Sequence, residues 1–219
     1  MPVDQAIFTS MVRRGRSGYH LVARSQGVTE SEVRALSTWS PSHGGLIADG
    51  ANRFSVNYFS LPTGRYALAR TREGKAEYSG RGGRQLYTRA VIVDVDRIRR
   101  AGYQPMAVFR DALTLGHLAF DPNPAPILKP IELSSLYAPR AGEAFAGIAR
   151  EVGPSEVEAV LTQLEAGHTV VLPYKGDRAL LAEFLFTRLS PESALATSFA
   201  TSLHPSTVRP FNLNLIAPT

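Results

Sequence analysis

A chain of 219 residues, 44% of them hydrophobic and 20% charged, can bury a large core, and its ordinary charge density excludes bulk disorder. Lys and Arg number 24 against 19 Asp and Glu; the formal net charge of +5 permits acidic partners or nucleic acid without demanding them. With no cysteine, disulfides, thiolate metal sites and cysteine nucleophiles are excluded.

Met1 to Ala6 lacks a basic segment followed by a long apolar one, and no run approaches the ~20 apolar residues of a membrane helix, so a soluble cytoplasmic protein is expected. Two strands are predicted at Ala6–Val12 and Tyr19–Ser25, joined by the polar turn Arg13-Arg14-Gly15-Arg16-Ser17-Gly18. A helix follows. Thr29 is placed to cap it with Glu32 as reciprocal partner, Val28 and Val33 sit at staple positions, and the helix ends near Trp39. Phe54, Val56 and Tyr58 alternate with polar residues in a half-buried strand over Arg53–Ser60, and after a turn at Leu61-Pro62-Thr63-Gly64 the next strand runs from Arg65 to Thr71. Arg72 to Arg84 is a polar loop with four glycines. Gln85 to Val95 contains the β-branched run Val91-Ile92-Val93, which fits a strand covered on both faces; it is taken as the centre of the domain.

Asp94 or Asp96 is placed to cap a short helix through Arg100, and Pro105 opens another with Met106, Phe109 and Leu113 on one face, ending at Gly116. His117 to Pro139 carries five prolines and reads as an extended connector. Helices are predicted at Ala141–Val152, Pro154–Glu165 and from Asp177 through Leu189, with strands at His168–Pro173, Thr197–Leu203 and Pro210–Ile216. The expected fold is α+β: a mainly antiparallel sheet centred on residues 86–95, with flanking helices and a helical second lobe. The expected organisation is one domain of two lobes, a β-rich lobe over 1–116 and a helical lobe over 140–219, joined by the connector 117–139.

Local catalytic signatures fail on spacing. Gly15-Arg16-Ser17-Gly18 lacks the second interval of a nucleophile elbow, and Gly74-Lys75-Ala76 lacks the glycine and hydroxyl of a phosphate loop. The five histidines are scattered, with no two at helical ligand spacing, and the arginines beside Asp94 and Asp96 argue for a helix cap over a cation site. No metal or cofactor is expected. The most suggestive feature is Ser79-Gly80-Arg81-Gly82-Gly83-Arg84, whose backbone amides and arginines suit an anion. Together with it, Arg70, Arg72, Lys75, Arg81, Arg84 and Arg89 are the candidate ligand- or partner-binding residues on one basic surface; the plain alternative is a solvated hairpin loop. Arg70, Thr71, Thr88, Ser198 and Thr201 are polar residues within strand patterns: structural hydrogen bonding is their first expectation, and lining a cleft, Thr201 included, the second.

Several segments taken together carry a resemblance. Gln5-Ala6, Gly18-Tyr19-His20-Leu21-Val22-Ala23-Arg24-Ser25, Gly64-Arg65-Tyr66-Ala67-Leu68-Ala69-Arg70-Thr71 and Leu86-Tyr87-Thr88-Arg89-Ala90-Val91-Ile92-Val93 occur in this order, and Thr197-Ser198-Phe199-Ala200-Thr201-Ser202 with Arg209-Pro210-Phe211 closes the series. This resembles the N-terminal domain of the bacterial GTPase-associated proteins. Tyr19 and Arg89 stand where that family has histidines, with His20 one place after the first, so no activity resting on those histidines is carried over. The resemblance implies a non-enzymatic adaptor or recognition module of a bacterial conflict (defence) system, with a GTPase or other NTPase as protein partner. Two rivals stand beside it: a nucleic-acid-binding module using the Arg/Gly-rich loop, and a hydrolase whose site assembles from distant residues. The end at Ala217-Pro218-Thr219 has no clear stop signal, and a longer parent chain is an open expectation.

Overall fold

The computed structural model describes residues 2–12, 15, 17–50, 52–76, 84–137, 140 and 142–218. The predicted turn at residues 13–18 lies partly outside these residues, and the Gly-rich stretch 77–83, with Arg81, lies wholly outside them. No helix among the described residues is long and apolar enough to cross a membrane.

The first half of the chain builds an antiparallel block. Strand β1 is Asp4–Ser10 and β2 is Tyr19–Ser25, followed by helix α1, Glu30–Trp39. Thr29 caps α1 by accepting from the Glu32 amide while the Glu32 carboxylate accepts from the Thr29 amide, the reciprocal box its spacing predicts. Strands β3 (Phe54–Ser60), β4 (Tyr66–Ala76) and β5 (Arg84–Val93) then pair in antiparallel register, with β1 on the far side of β5. Period-two alternation splits β5 between two cores. Val91 and Val93 enter the larger cluster, and Ala90 and Ile92 enter a smaller one with Leu36 of α1, Phe59 and Phe211. Trp39 stacks on Phe59 at 5.0 Å to close that smaller side.

Helices α2 (Val95–Arg100) and α3 (Pro105–Thr114) follow, with Asp94 as the α2 cap and Pro105 opening α3. Strand β5 therefore stops at Val93, two residues short of the prediction, because the Asp94 carboxylate takes the Arg97 amide. The Pro-rich connector contains a short strand, β6 (Ile127–Leu128), which pairs in parallel with β2. The next helix begins later than predicted: residues Gly142–Phe145 form a 3₁₀ turn before α4 (Ala146–Val152). Then come α5 (Pro154–Glu165), β7 (Val170–Pro173), α6 (Arg178–Phe186), α7 (Pro191–Ala196), β8 (Phe199–Ala200) and β9 (Leu213–Ile216).

Among the described residues, nine strands form one mixed sheet in the order β6-β2-β1-β5-β4-β3-β8-β9-β7. The α+β expectation stands, and the sheet is antiparallel from β2 across to β8 with parallel pairs at both ends. The late strands join the early block because β8 pairs with β3 at Asn57 and Tyr58. The larger core lies between one sheet face and α2 to α7, with Ile98, Phe109, Leu161 and Leu185 among its buried side chains. α1 packs on the opposite face.

Candidate functional site

On β4, alternation sends Leu68, Arg70 and Arg72 to the face that carries the larger core. Leu68 is fully buried there, whereas Arg70 and Arg72, further along, are only half-buried at the margin of that core. Val56 and Phe54 of β3 stand opposite Arg70 and Arg72, so the guanidinium of Arg70 reaches Phe54 diagonally and lies 4.5 Å from its ring centroid. Arg84, at the start of β5, and Arg53, just before β3, complete an open cleft of about 630 Å³ with Glu73 and Gly50. Four arginines face one carboxylate in this cleft. That carboxylate, Glu73, is 3.8 Å from Arg84 Nε. Arg70 Nε is buried and donates to no protein partner, and burial, with Arg72 second, pushes the Arg70 pKa down. A cluster of this kind is a site of uncompensated positive charge, relieved by an anion that two or more guanidinium groups can grip at once.

One wall of the cleft is the segment before β3, and a buried arginine sets its position. Arg178, the first residue of α6, has no solvent exposure; its guanidinium donates to both oxygens of Asp49, at 2.5 and 3.1 Å, and to Ser202 Oγ at 3.1 Å. The Arg178 amide donates to Asn52 Oδ1, whose amide nitrogen donates to the carbonyl of Gly176. The hydrogen bonds from Arg178 hold the Asp49 carboxyl below the usual carboxylate range. These links hold Asp49 and Asn52 against α6, and so place Gly50 and Arg53 at the cleft.

Phe54 also borders a second cavity, of about 190 Å³, between β3 and helices α3 and α6. Its walls are mostly apolar, from Phe54, Met106, Phe109, Leu113 and Leu180. At its side Glu183 is 3% exposed, is hydrogen-bonded through Oε1 by Arg110, and has Arg140 Nε 3.2 Å from Oε2. Oε2 has no well-directed hydrogen bond. Burial, with Arg140 second, pushes the Arg110 pKa down.

The structure brings together Arg70, Arg72 and Arg84 of the predicted basic surface, and adds Arg53 and Phe54, which the sequence reading passed over. Lys75 and Arg89 lie apart from the cleft lining: Lys75 Nζ donates to the Pro122 carbonyl, and Arg89 donates to the Ala119 carbonyl and to Gln5 Oε1. The polar strand residues have structural partners. Thr201 Oγ1 accepts from the Val56 amide, although Thr201 also borders the inner cavity. Thr71 and Thr88 pair at 2.8 Å on the α1 face, with Asn57 donating to Thr71 and Ser55 donating to Asn57. Ser198 is clamped to Asn212 at the start of β9. Tyr19 packs on Phe8 and His43, and its hydroxyl accepts from the Leu86 amide. Among the described residues no group of three or more His, Asp or Glu is placed to hold a metal ion.

Glu183 was missed although a signal was present: it is a charged residue inside the almost continuous apolar run of α6, where burial demands a partner. Arg178, at the polar start of the same helix beside Asp177, carried no such signal. Arg53 and Arg110 carried no such signal, since each sits where an exposed basic residue is ordinary.

No curated protein matches the chain, and no solved structure does. A family model described as GTPase-associated protein 1, N-terminal domain type 2, matches residues 2–134, a span that includes β1 to β6 and all four arginines of the cleft. That span is more than half of the 219 residues, and the chain belongs to this family of GTPase-associated N-terminal domains.

Proposed function

We propose that this chain is a recognition module of a GTPase-associated conflict system, and that it acts by binding, with the arginine cleft as its receiving site and an NTPase as its protein partner. The observation that carries the reading is the convergence of Arg53, Arg70, Arg72 and Arg84 on one open cleft against a single carboxylate, Glu73. Binding is favoured over turnover because Thr201, the hydroxyl that borders the inner cavity, is held in a structural bond from the Val56 amide. A nucleophile has to reach its substrate, and this group is committed elsewhere. Single-stranded nucleic acid is less well served. Phe54, the ring that lines the cleft, carries the guanidinium of Arg70, and Phe120, outside the lining, carries that of Arg72, so neither is an open stacking platform.

The test is recovery of partners from the native host with the tagged full chain, compared with a variant carrying Arg70→Glu and Arg72→Glu. A GTPase or other NTPase is expected with the wild type and is expected to be lost with the variant. Equal recovery by both places the partner contact away from the cleft, and recovery of no NTPase contradicts the adaptor reading.

A further inference from the structure

We infer that the arginine cleft and the inner cavity are two halves of one site, and that its ligand is a nucleoside polyphosphate. This deepens the reading of the cleft as an anion site and rests on it. The two spaces adjoin at Phe54, which lines both, and they differ sharply in charge. The outer cleft sets four guanidinium groups against one carboxylate, whereas in the inner cavity Arg110 and Arg140 are balanced by Asp177 and Glu183. A ligand fitting both has a strongly anionic end and a neutral, largely flat apolar end. The outer space of about 630 Å³ holds a chain of phosphates between forked donors. The inner space of about 190 Å³ equals the liquid volume of about six water molecules, room for one ring system between apolar walls.

Glu183 narrows the class of that ring. Glu183 lines the cavity together with Asp177, and carboxylates bordering an apolar space are matched by N–H donors. Arg110 and Arg140 are the ion-pair partners of Glu183. The exocyclic amino and ring N–H groups of a nucleobase supply such a donor. An inorganic phosphate chain leaves the inner cavity empty, and a prenyl or acyl phosphate fills it but offers Asp177 and Glu183 no donor.

The experiment is calorimetric titration of the full chain at low salt with inorganic triphosphate, ATP, GTP and a prenyl diphosphate. At least one nucleotide is expected to bind about tenfold or more tightly than inorganic triphosphate, a difference set by the base. Arg70→Ala is expected to weaken both by about tenfold or more. Ala179→Phe, which fills the inner cavity from the first turn of α6, is expected to bring the nucleotide down to the affinity of inorganic triphosphate and leave the latter unchanged. Leu113→Phe repeats that test from α3 should the first variant fail to fold. Equal affinities for nucleotide and inorganic triphosphate, tighter binding of the prenyl diphosphate, or no binding at all each overturn the inference. If partner recovery depends on Arg70 while no nucleotide binds, the recognition reading stands and this inference falls. If a nucleotide binds as described and no NTPase is recovered, the inference stands without the adaptor.

Discussion

Arg178 is fully buried yet joined to Asp49, Ser202 and the Asn52 side chain, so it holds the wall of the cleft from inside the protein. Removing one member of a buried pair leaves the other without its match, and Arg178→Met is expected to cost about 3 kcal/mol in urea unfolding. An unchanged midpoint shows that the clamp contributes nothing to stability. Val93, with no exposure, faces the larger core; Val93→Asp puts an unpaired charge there and is expected to cost about 3–5 kcal/mol or to prevent folding. Glu32 gives a pH dependence. Burial alone raises its pKa, but hydrogen bonds from Arg65, Thr63 and the Thr29 amide outweigh that and hold it below 4.5. The stability from this group is present above pH 4.5 and lost as the pH falls through the lowered folded pKa. Acid titration of thermal stability is expected to show a drop below that point which Glu32→Gln removes, at a lower neutral-pH plateau; identical acid limbs contradict it. At this scale the sequence announced Glu32 through its capping spacing and Val93 through its apolar run, while Arg178 was concealed at a polar helix start and Glu183 stood out only as a charge in an apolar run. A charged residue in an apolar helix pattern is usually read as solvent-facing, and only the fold shows what lies across from it.

Among the elements, those with strong alternation or capping signals were legible: β3, β4, β5, α1 and α5 fall where periodicity and caps put them, give or take their ends. Strand β4 runs on to Ala76 because it pairs with β5 as far as Arg84, past the polar stretch that reads as a loop. Strand β8 shrinks to Phe199–Ala200 because Ser198 is tied to Asn212 and Ser202 turns to bond Ser55 and Arg178. Helix α7 had a readable start in Ser190 followed by Pro191, but the run toward Leu189 obscured the break. The Ser55–Asn57–Thr71–Thr88 chain crosses β3, β4 and β5 on the α1 face, opposite the cleft. Thr71→Val is therefore expected to cost about 1–3 kcal/mol by orphaning the Asn57 and Thr88 side chains, with anion binding unchanged. A loss of binding without loss of stability contradicts the assignment of Thr71 to a structural role.

At the scale of the whole molecule, the family match ends at residue 134, but the sheet does not. Residues after it supply β7, β8 and β9 and the helices that bury Tyr58, Leu68 and Val91. A fragment ending at Ser134 exposes that face and is expected to be insoluble or to lack a cooperative thermal transition; a soluble, cooperatively melting fragment contradicts this. At the far edge of the sheet Pro173 removes a donor from β7, which blunts strand addition there. The basic character of the cleft was legible as a run of arginines, but its composition was not. Strand pairing does set Arg89 opposite Arg70, but the Ala119 carbonyl and Gln5 Oε1 draw its guanidinium aside, the Pro122 carbonyl holds Lys75, and Arg53 arrives through the Arg178 clamp. The most direct measurement is the affinity of the full chain for inorganic triphosphate across a salt series, for the wild type and for Arg70→Ala, Arg72→Ala, Lys75→Ala and Arg89→Ala. Binding is predicted to weaken steadily with salt, to fall by about tenfold or more in the Arg70 and Arg72 variants, and to stay within about twofold in the Lys75 and Arg89 variants. No binding at low salt, or equal losses in all four variants, contradicts the assignment of the cleft.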